Sequence, residues 1–537
     1  MNAEALTLED YRTVCRVMGE SCRRKLGEAF QSIYSKHKVL DLTPGYSDLD
    51  LRAVCSGKTV EEWSKIGFAI SQVYLELLRN NPRYSRILEH PPGFIISTEE
   101  VPNYIRYHPA VAEWDLMFGF PLIDADSSIP FDQAKRAILK SFMALYGVYR
   151  PELDPPVNID KGLLGTYHIY GRIMHHLAPA LKAGMSLILG RQLKSKVEAF
   201  NEALQHFPDN PLLKDIQTIM GRAYRVSAPP HSRCLRELDL KVIEFLSSIF
   251  EAIRERHPLE SWLENTRPAR LCQEKPNGEP VKTIERLEEA LREWVEHSRM
   301  EENLRTAILY KSPITNARHL ILVFREGSLR GITRVRGIPK RLVSKVRYAL
   351  KGGRETNLSS ILISTEGEFL YRYLLAYPTD LYSIFCSGET IFGEDFMEWV
   401  SPPRKEMLMD EALGRMCILT GVCRSRAGIL AYLRDAPPFF ATSFLKRRCF
   451  EEINEIMVSM LVSHGLTAQG CVPMTLKDGL NILKDGLAGR RELRALDDLY
   501  SLTLNPKRVT NGAINLAIEL LPVLNRVAER VYLEVFS

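Results

Sequence analysis

Asp48 and Asp50, inside Pro44-Gly-Tyr-Ser-Asp-Leu-Asp-Leu-Arg52, are the residues whose type and spacing best suit catalysis. In an extended strand, residues i and i+2 point to the same side. The alternation over Ser47–Val54 therefore puts Asp48, Asp50 and Arg52 on one face and Leu49, Leu51 and Ala53 on the other. Two carboxylates that close can share hard divalent cations, Mg²⁺ or Mn²⁺. A pair of such ions about 3.5–4 Å apart is what an in-line phosphoryl displacement requires. Gly45 would let the backbone approach a phosphate, and Ser47 would donate a hydrogen bond to it.

Several elements must position this stretch. Tyr11, Val14, Cys15, Met18, Cys22 and Leu26 recur at spacings of three and four, which predicts a helix over Leu8–Ala29. Phe30–His37 reads as a strand and turn. Thr59-x-x-Glu62 is a capping box that opens a helix to Leu78, with Trp63, Ile66, Ile70, Val73, Tyr74 and Leu77 on its apolar face. Phe94–Ser97 and Glu113–Phe118 read as short strands. Helical periodicity then dominates: Ala134–Tyr149, Lys161–Leu189, Lys194–His206, Leu212–Tyr224 and Leu235–Arg256.

The polar stretch Trp262–Pro280, with Pro268, Pro276, Gly278 and Pro280, is the expected linker. Beyond it the order repeats. A helix is expected over Ile284–Leu309, then a β-run Arg318–Phe324, a helix Arg341–Leu350, a β-run Ser360–Ser364, and helices to the end. Ile96-Ser-Thr-Glu99 recurs as Ile363-Ser-Thr-Glu366; at that offset Tyr104 meets Tyr371, Glu113 meets Asp380 and Phe118 meets Phe385. The expected fold class is α+β: a small mixed sheet with extensive helical regions, duplicated, with a degenerate second copy. The expected domains are 1–130, 131–262, 281–400 and 401–537.

At Gly-Tyr-Ser-Asp-Leu-Asp-Leu the chain resembles the nucleotidyltransferase superfamily related to DNA polymerase β, and looks like the catalytic segments of the tandem-domain glutamine-synthetase adenylyltransferases. The resemblance covers roughly residues 28–120. It implies a catalytic first domain that uses Mg²⁺ or Mn²⁺ to move a nucleoside monophosphate from a nucleoside triphosphate, ATP in the first instance, to an acceptor hydroxyl. It implies metal ligands at Asp48 and Asp50 and a third carboxylate on a later strand. Asp115 is the choice among Glu99, Glu100, Glu113 and Asp115. No Asp or Glu lies between Asn303 and Arg325, so the second copy lacks the metal pair. A third ligand should vanish with it, and at the repeat offset Asp115 meets Tyr382 whereas Glu99 and Glu113 keep acidic counterparts. The family's Gly-Ser element is matched only by Gln31-Ser32, so Ser32, with Gly45, Ser47 and Lys161, is expected to steady the triphosphate.

Other classes are weaker. The net charge of +5 over 537 residues is too mild to argue for nucleic acid. Arg325–Arg354 nevertheless holds ten Lys/Arg and one acidic residue, which suits an RNA or other phosphate-rich contact. The ten cysteines form no CxxC, which removes the strong zinc patterns and leaves buried free thiols. No charge-free apolar run reaches membrane-spanning length and the N-terminus has no signal-peptide pattern, so a cytoplasmic protein is expected. The acceptor, whether protein, small molecule or RNA, is open. The alternatives are a nucleotidyltransferase-fold scaffold or sensor without turnover, and an RNA-binding protein that uses the basic run 325–354.

Overall fold

The computed structural model of the protein describes residues 6–42, 44, 47–123, 129–148, 177–216, 232–271, 281–298, 302–315, 317–326, 358–484, 486–504 and 509–536. The expected helix Arg341–Leu350, the body of the basic run, and most of Lys161–Leu189 lie outside the described residues. The fold is α+β, with two small mixed sheets among many helices. It divides into two compact units, Met1–Ala134 with Ala412–Ala468 and Lys477–Ser537, and Lys135–Glu411 with Gln469–Leu476. Four successive domains were expected; instead, most of 401–537 belongs to the same unit as the first sheet.

In the first unit, helix α1 (Leu8–Leu26) is opened by the Thr7/Asp10 capping box and leads into β1 (Phe30–Ser35). Strand β2 (Leu51–Cys55) follows, then α2 (Val60–Asn80), β3 (Phe94–Ser97), α3 (Val101–Tyr107) and β4 (Asp115–Gly119). Thr59 caps α2 as its sequence implies, although Glu62 reaches back to the amide of Lys58. The order is β3-β2-β1-β4; β1 is antiparallel to β2 and β4, and β2 is parallel to β3. One sheet face carries Tyr34, Val54 and Ile96 into a core with Val101, Tyr104, Val111 and Trp114. On α1, Gly19 lies so close to the Phe118 ring that a Cβ would come within 2.3 Å of it.

In the second unit, α4 (Val281–Ser298) precedes β5 (Leu304–Lys311), β6 (Arg318–Phe324), β7 (Leu358–Thr365), α5 (Pro378–Ser387) and β8 (Glu389–Gly393). The expected helix Ile284–Leu309 thus ends early, and Leu304–Leu309 is strand. Helical spacing fits α4, but Thr306, Ala307, Ile308 and Leu309 form a continuous buried run, as in a strand covered on both faces. β8 was not expected at all.

The second sheet, β7-β6-β5-β8, has the strand order and directions of the first. Bulges fall at corresponding rungs, between Ile33 and Tyr34 and between Ala307 and Ile308. Both last strands end on a positive-φ glycine, Gly119 and Gly393, where a Cβ would come within 2.1 Å of the carbonyl of Gln31 or Arg305. Each third strand runs into a capping box, Ser97/Glu100 and Thr365/Glu368. These rungs shift the Ile-Ser-Thr-Glu match by one residue, because Ser97 corresponds to Thr365. Asp115 lies opposite Ser35, and Glu389 opposite Leu309, with Ser35 and Leu309 at the same rung of their sheets. The counterpart of Asp115 is therefore Glu389; Tyr382 lies within α5. The second sheet therefore keeps a carboxylate at the position of Asp115, and Asp115 is not distinguished by a loss there.

The first unit is closed by α6 (Lys405–Asp435, which enters it at Ala412), α7 (Ser443–Gln469), α8 (Leu476–Lys484), α9 (Arg490–Thr503) and α10 (Asn511–Phe536). α2 and α6 cross with almost no space, since a Cβ on Gly428 would lie 2.3 Å from the Gly67 carbonyl. Of the described helices only α6 is long and apolar enough to cross a membrane, and 83% of its apolar window is buried in the structure. Eight described cysteines are free, and all but Cys471 are buried. Arg424 of α6 forks onto Glu100 at 2.6 and 3.0 Å, reaches Glu529 at 3.2 Å and stacks 4.0 Å over Trp63.

Removing one partner of a buried ion pair strands the other charge, at a cost of roughly 3–5 kcal/mol. Arg424→Met should lower the stability of the first unit by about that amount in chemical denaturation. Glu100→Gln combined with Arg424→Met should recover part of the loss.

Candidate functional site

Asp50 sits at the tip of β2, and three tethers hold the segment it belongs to. The Asp50 carbonyl accepts from the Lys36 amide at 2.9 Å, the Leu49 amide donates to Ile87 at 2.7 Å, and the Tyr11 hydroxyl donates to Ser47 at 2.5 Å. On the rung facing Asp50, Lys36 places Nζ 3.1 Å from Oδ2. The His90 Nε2 lies 3.6 Å from Oδ1. Its Nδ1 is 2.7 Å from the Pro91 carbonyl, which can only accept, so Nδ1 is protonated, and Nε2 can donate to Asp50 only when the ring carries a second proton. Arg52, on the Asp50 side of the sheet, is buried with its guanidinium 4.1 Å over the Phe94 ring.

The electrostatics follow from this crowding. Burial alone would raise the Asp50 pKa; Lys36, His90 and Arg52 outweigh it and hold the carboxylate well below its ordinary range. Burial would likewise lower that of His90, but Asp50 and the Pro91 carbonyl hold it above the usual value. Behind them, Arg426 pairs with Glu452 at 2.6 Å. Burial pushes the Glu452 carboxyl up, and Arg426 and His90 pull it further down. Three basic groups thus stand around one carboxylate, an arrangement that attracts polyanions.

The other expected site residues fare differently. Asp48 is half-buried and close enough to Tyr74 to help raise that phenol's pKa, after burial, Tyr432 and Glu89. Ser47 is buried. Asp115 pairs with Ser35, which on its other side pairs with Leu51. The pleat therefore puts Asp115 on the sheet face opposite Asp50 and Arg52. There it accepts from the Val39 amide at 2.8 Å and from Lys38 at 2.9 Å. Ser32 is three residues up β1 from Ser35, roughly 10 Å along the strand. It is fully buried and its hydroxyl has no partner, so it is not placed to touch a ligand held at Asp50. Gly45 and Lys161 lie outside the described residues. Glu100 is committed to Arg424 and the Ser97 cap, and Glu113 approaches His37 at 3.8 Å.

Among the described residues no group of three or more His, Cys, Asp or Glu side chains gathers to hold a metal ion. Asp48, Asp50 and Asp115 therefore do not fit a preformed three-carboxylate centre. A divalent ion arriving on phosphate oxygens needs only one or two carboxylates, which Asp50 and, two residues earlier in the chain, Asp48 could supply. No family model matches the chain, and no match is found among curated proteins or solved structures.

In the second sheet the rung of Lys36 and Asp50 is occupied by Tyr310 and His319. Their rings stack at 5.1 Å, and the His319 Nε2 lies 2.7 Å from the Ser312 hydroxyl. Neither Lys36 nor His90 belongs to the acidic motif, whereas Arg52 ends it and shares the face expected of Asp48 and Asp50. Pairing Phe30–His37 with Ser47–Val54 as a hairpin would have found Lys36. His90 carries no such signal.

Burial pushes the His319 pKa down from 6.5 to about 4. The unfolded chain takes up this proton near 6.5 and the folded one only near 4, so the imidazole costs stability as pH falls through that window. His319→Gln should flatten the fall of the second unit's melting temperature between those pH values, measured by calorimetry. An unchanged slope would show that the ring is not held neutral.

Proposed function

We propose that the protein is a divalent-ion-dependent nucleotidyltransferase, its first unit binding a nucleoside triphosphate and passing the nucleoside monophosphate to an acceptor hydroxyl with release of pyrophosphate. The observation that carries this reading is Asp50 at the tip of β2, ringed by Lys36, Arg52 and His90. Asp50 and Asp48 would hold the divalent ion, whose contribution is to neutralise charge on the phosphates. Lys36 and Arg52 draw the polyphosphate in, and Lys36 trades its ion pair with Asp50 for a phosphate oxygen. The tethers at Ser47, Leu49 and Asp50 keep the acidic segment rigid, which orients the bound phosphate without ordering cost.

The two sheets are read as divergent copies of one unit, on the strength of shared strand order, bulge position, terminal glycine and capping box. The second copy has exchanged its charged rung for Tyr310 and His319.

A second reading, a nucleotide-binding protein without turnover, is favoured by Asp115 lying on the far face and by the burial of Ser32. Isothermal titration with each of the four NTPs and Mg²⁺, beside a pyrophosphate-release assay with cell extract as acceptor source, separates the two. Release with one NTP that falls at least about 100-fold in Asp50→Asn is the expected result. Binding without release selects the second reading. Absence of binding by any NTP overturns both.

A further inference from the structure

Transfer to an acceptor hydroxyl needs a group that takes the hydroxyl proton, and Asp115 faces away from the side on which Asp50 and Arg52 lie. His108, which belongs to no motif, is on that side. Tyr34 pairs with Arg52 across β1 and β2, and Lys36 with Asp50 stands one step of about 7 Å further along the same face. Tyr34, Val54 and Ile96 of this face pack against Tyr104 and Trp114. The His108 ring lies edge-on to both of those aromatic rings, its centroid 6.3 Å from Tyr104 and 6.2 Å from Trp114. Its backbone is fixed at the end of α3, where the amide donates to Tyr104 at 2.9 Å and the carbonyl accepts from Val111 at 3.0 Å. The ring is half-buried, and neither nitrogen has a hydrogen-bond partner among the described residues, whereas His90, His257 and His319 each have one.

Facing the ring are Arg52 from β2, Lys36 from beyond β1, Tyr104 from α3 and Glu113 from the turn before β4. Burial, then Arg52 and Lys36, push the His108 pKa from 6.5 to about 4, against the pull of Glu113. The imidazole is therefore neutral at pH 7 and has a lone pair to offer.

We propose that His108 is the general base of the transfer: a ring nitrogen accepts the hydrogen bond of the acceptor hydroxyl and takes its proton as the oxygen attacks the α-phosphorus. This rests on the transferase reading of the site. The new oxygen–phosphorus bond forms as the bond from the α-phosphorus to the bridging oxygen breaks. The electron pair of that bond leaves with pyrophosphate, and the imidazolium then gives its proton to water. A triphosphate drawn to Lys36 and Arg52 offsets the two cations that weaken this base, so the imidazole gains basicity once the nucleotide is in place.

The test uses the full chain with Mg²⁺, each of the four NTPs in turn and cell extract as the acceptor source. Pyrophosphate release gives kcat and the KM for the NTP, and melting temperature is measured in parallel. His108→Ala should lower kcat at least about 100-fold and leave the KM for the NTP in place. Free imidazole, small enough to enter the space left by the ring, should restore part of the rate. A packing role alone would move KM and melting temperature and would not respond to imidazole. Should His108→Ala not fold, His108→Asn, closer in size and unable to take the proton, is the loss variant, read by the same split between kcat and KM. An undiminished kcat in the loss variant, or a loss in His108→Ala that imidazole leaves unrestored, overturns the role of His108 alone. A wild type that releases no pyrophosphate with any NTP overturns the transferase reading and this role with it.

Discussion

The first unit depends on one buried cation. Arg424, 5% exposed at its side chain, satisfies Glu100 from the start of α3 and Glu529 from α10, and lies flat on Trp63 of α2. Segments more than 300 residues apart in sequence meet at that guanidinium, and its planar fork is what allows a bidentate pair and a ring stack together. Burial opposes its charge, but the carboxylates outweigh burial and raise its pKa further. The glycine contacts at Gly67 and Gly428 follow from the same requirement, because α6 must come close enough to α2 for the guanidinium to reach both Glu100 and Trp63.

The corresponding glutamate of the second unit shows how the same backbone device takes another partner. Glu368 closes the capping box with Thr365 and is buried, as Glu100 is with Ser97. Its outward oxygen accepts from the Tyr146 hydroxyl at 2.6 Å in place of an arginine. Both glutamates therefore serve the fold. At the sheet tip the contrast has the opposite sense: Lys36 and Asp50 keep opposite charges in the first sheet, and Tyr310 with His319 forms a stacked, neutral rung in the second.

Much of the first unit could be read directly. The capped α2 and the strands β1, β3 and β4 are local patterns, each carried by a few adjacent side chains; Leu49, Leu51 and Ala53 are buried as the alternation implies, but so are Arg52 and Val54 on the other face of β2. The reading failed where pattern is ambiguous or register decides. A run such as Thr306–Leu309, buried on both faces, has no alternation to distinguish it from a helix end. The Ile-Ser-Thr-Glu identity was real but one rung out of register, and one residue reverses the face on which every side chain falls.

The sequence by itself determined that a strand following Asp48 and Asp50 leads into a capped helix, because alternation and capping are local properties of the chain; the strand starts only at Leu51, so the two carboxylates stand before it. It also determined the mixed helical and strand content, and that most cysteines sit among apolar neighbours. Only the tertiary structure decided that Asp115 faces away, that Ser32 is interior, and that the C-terminal helices join the first sheet. It alone brought His90 to Asp50, through a loop pinned at Ile87 and Gly93. The physical reason is range: a helix cap is settled within four residues, whereas the environment of a carboxylate depends on which strands pair, in which register, and which distant cation can be buried beside it.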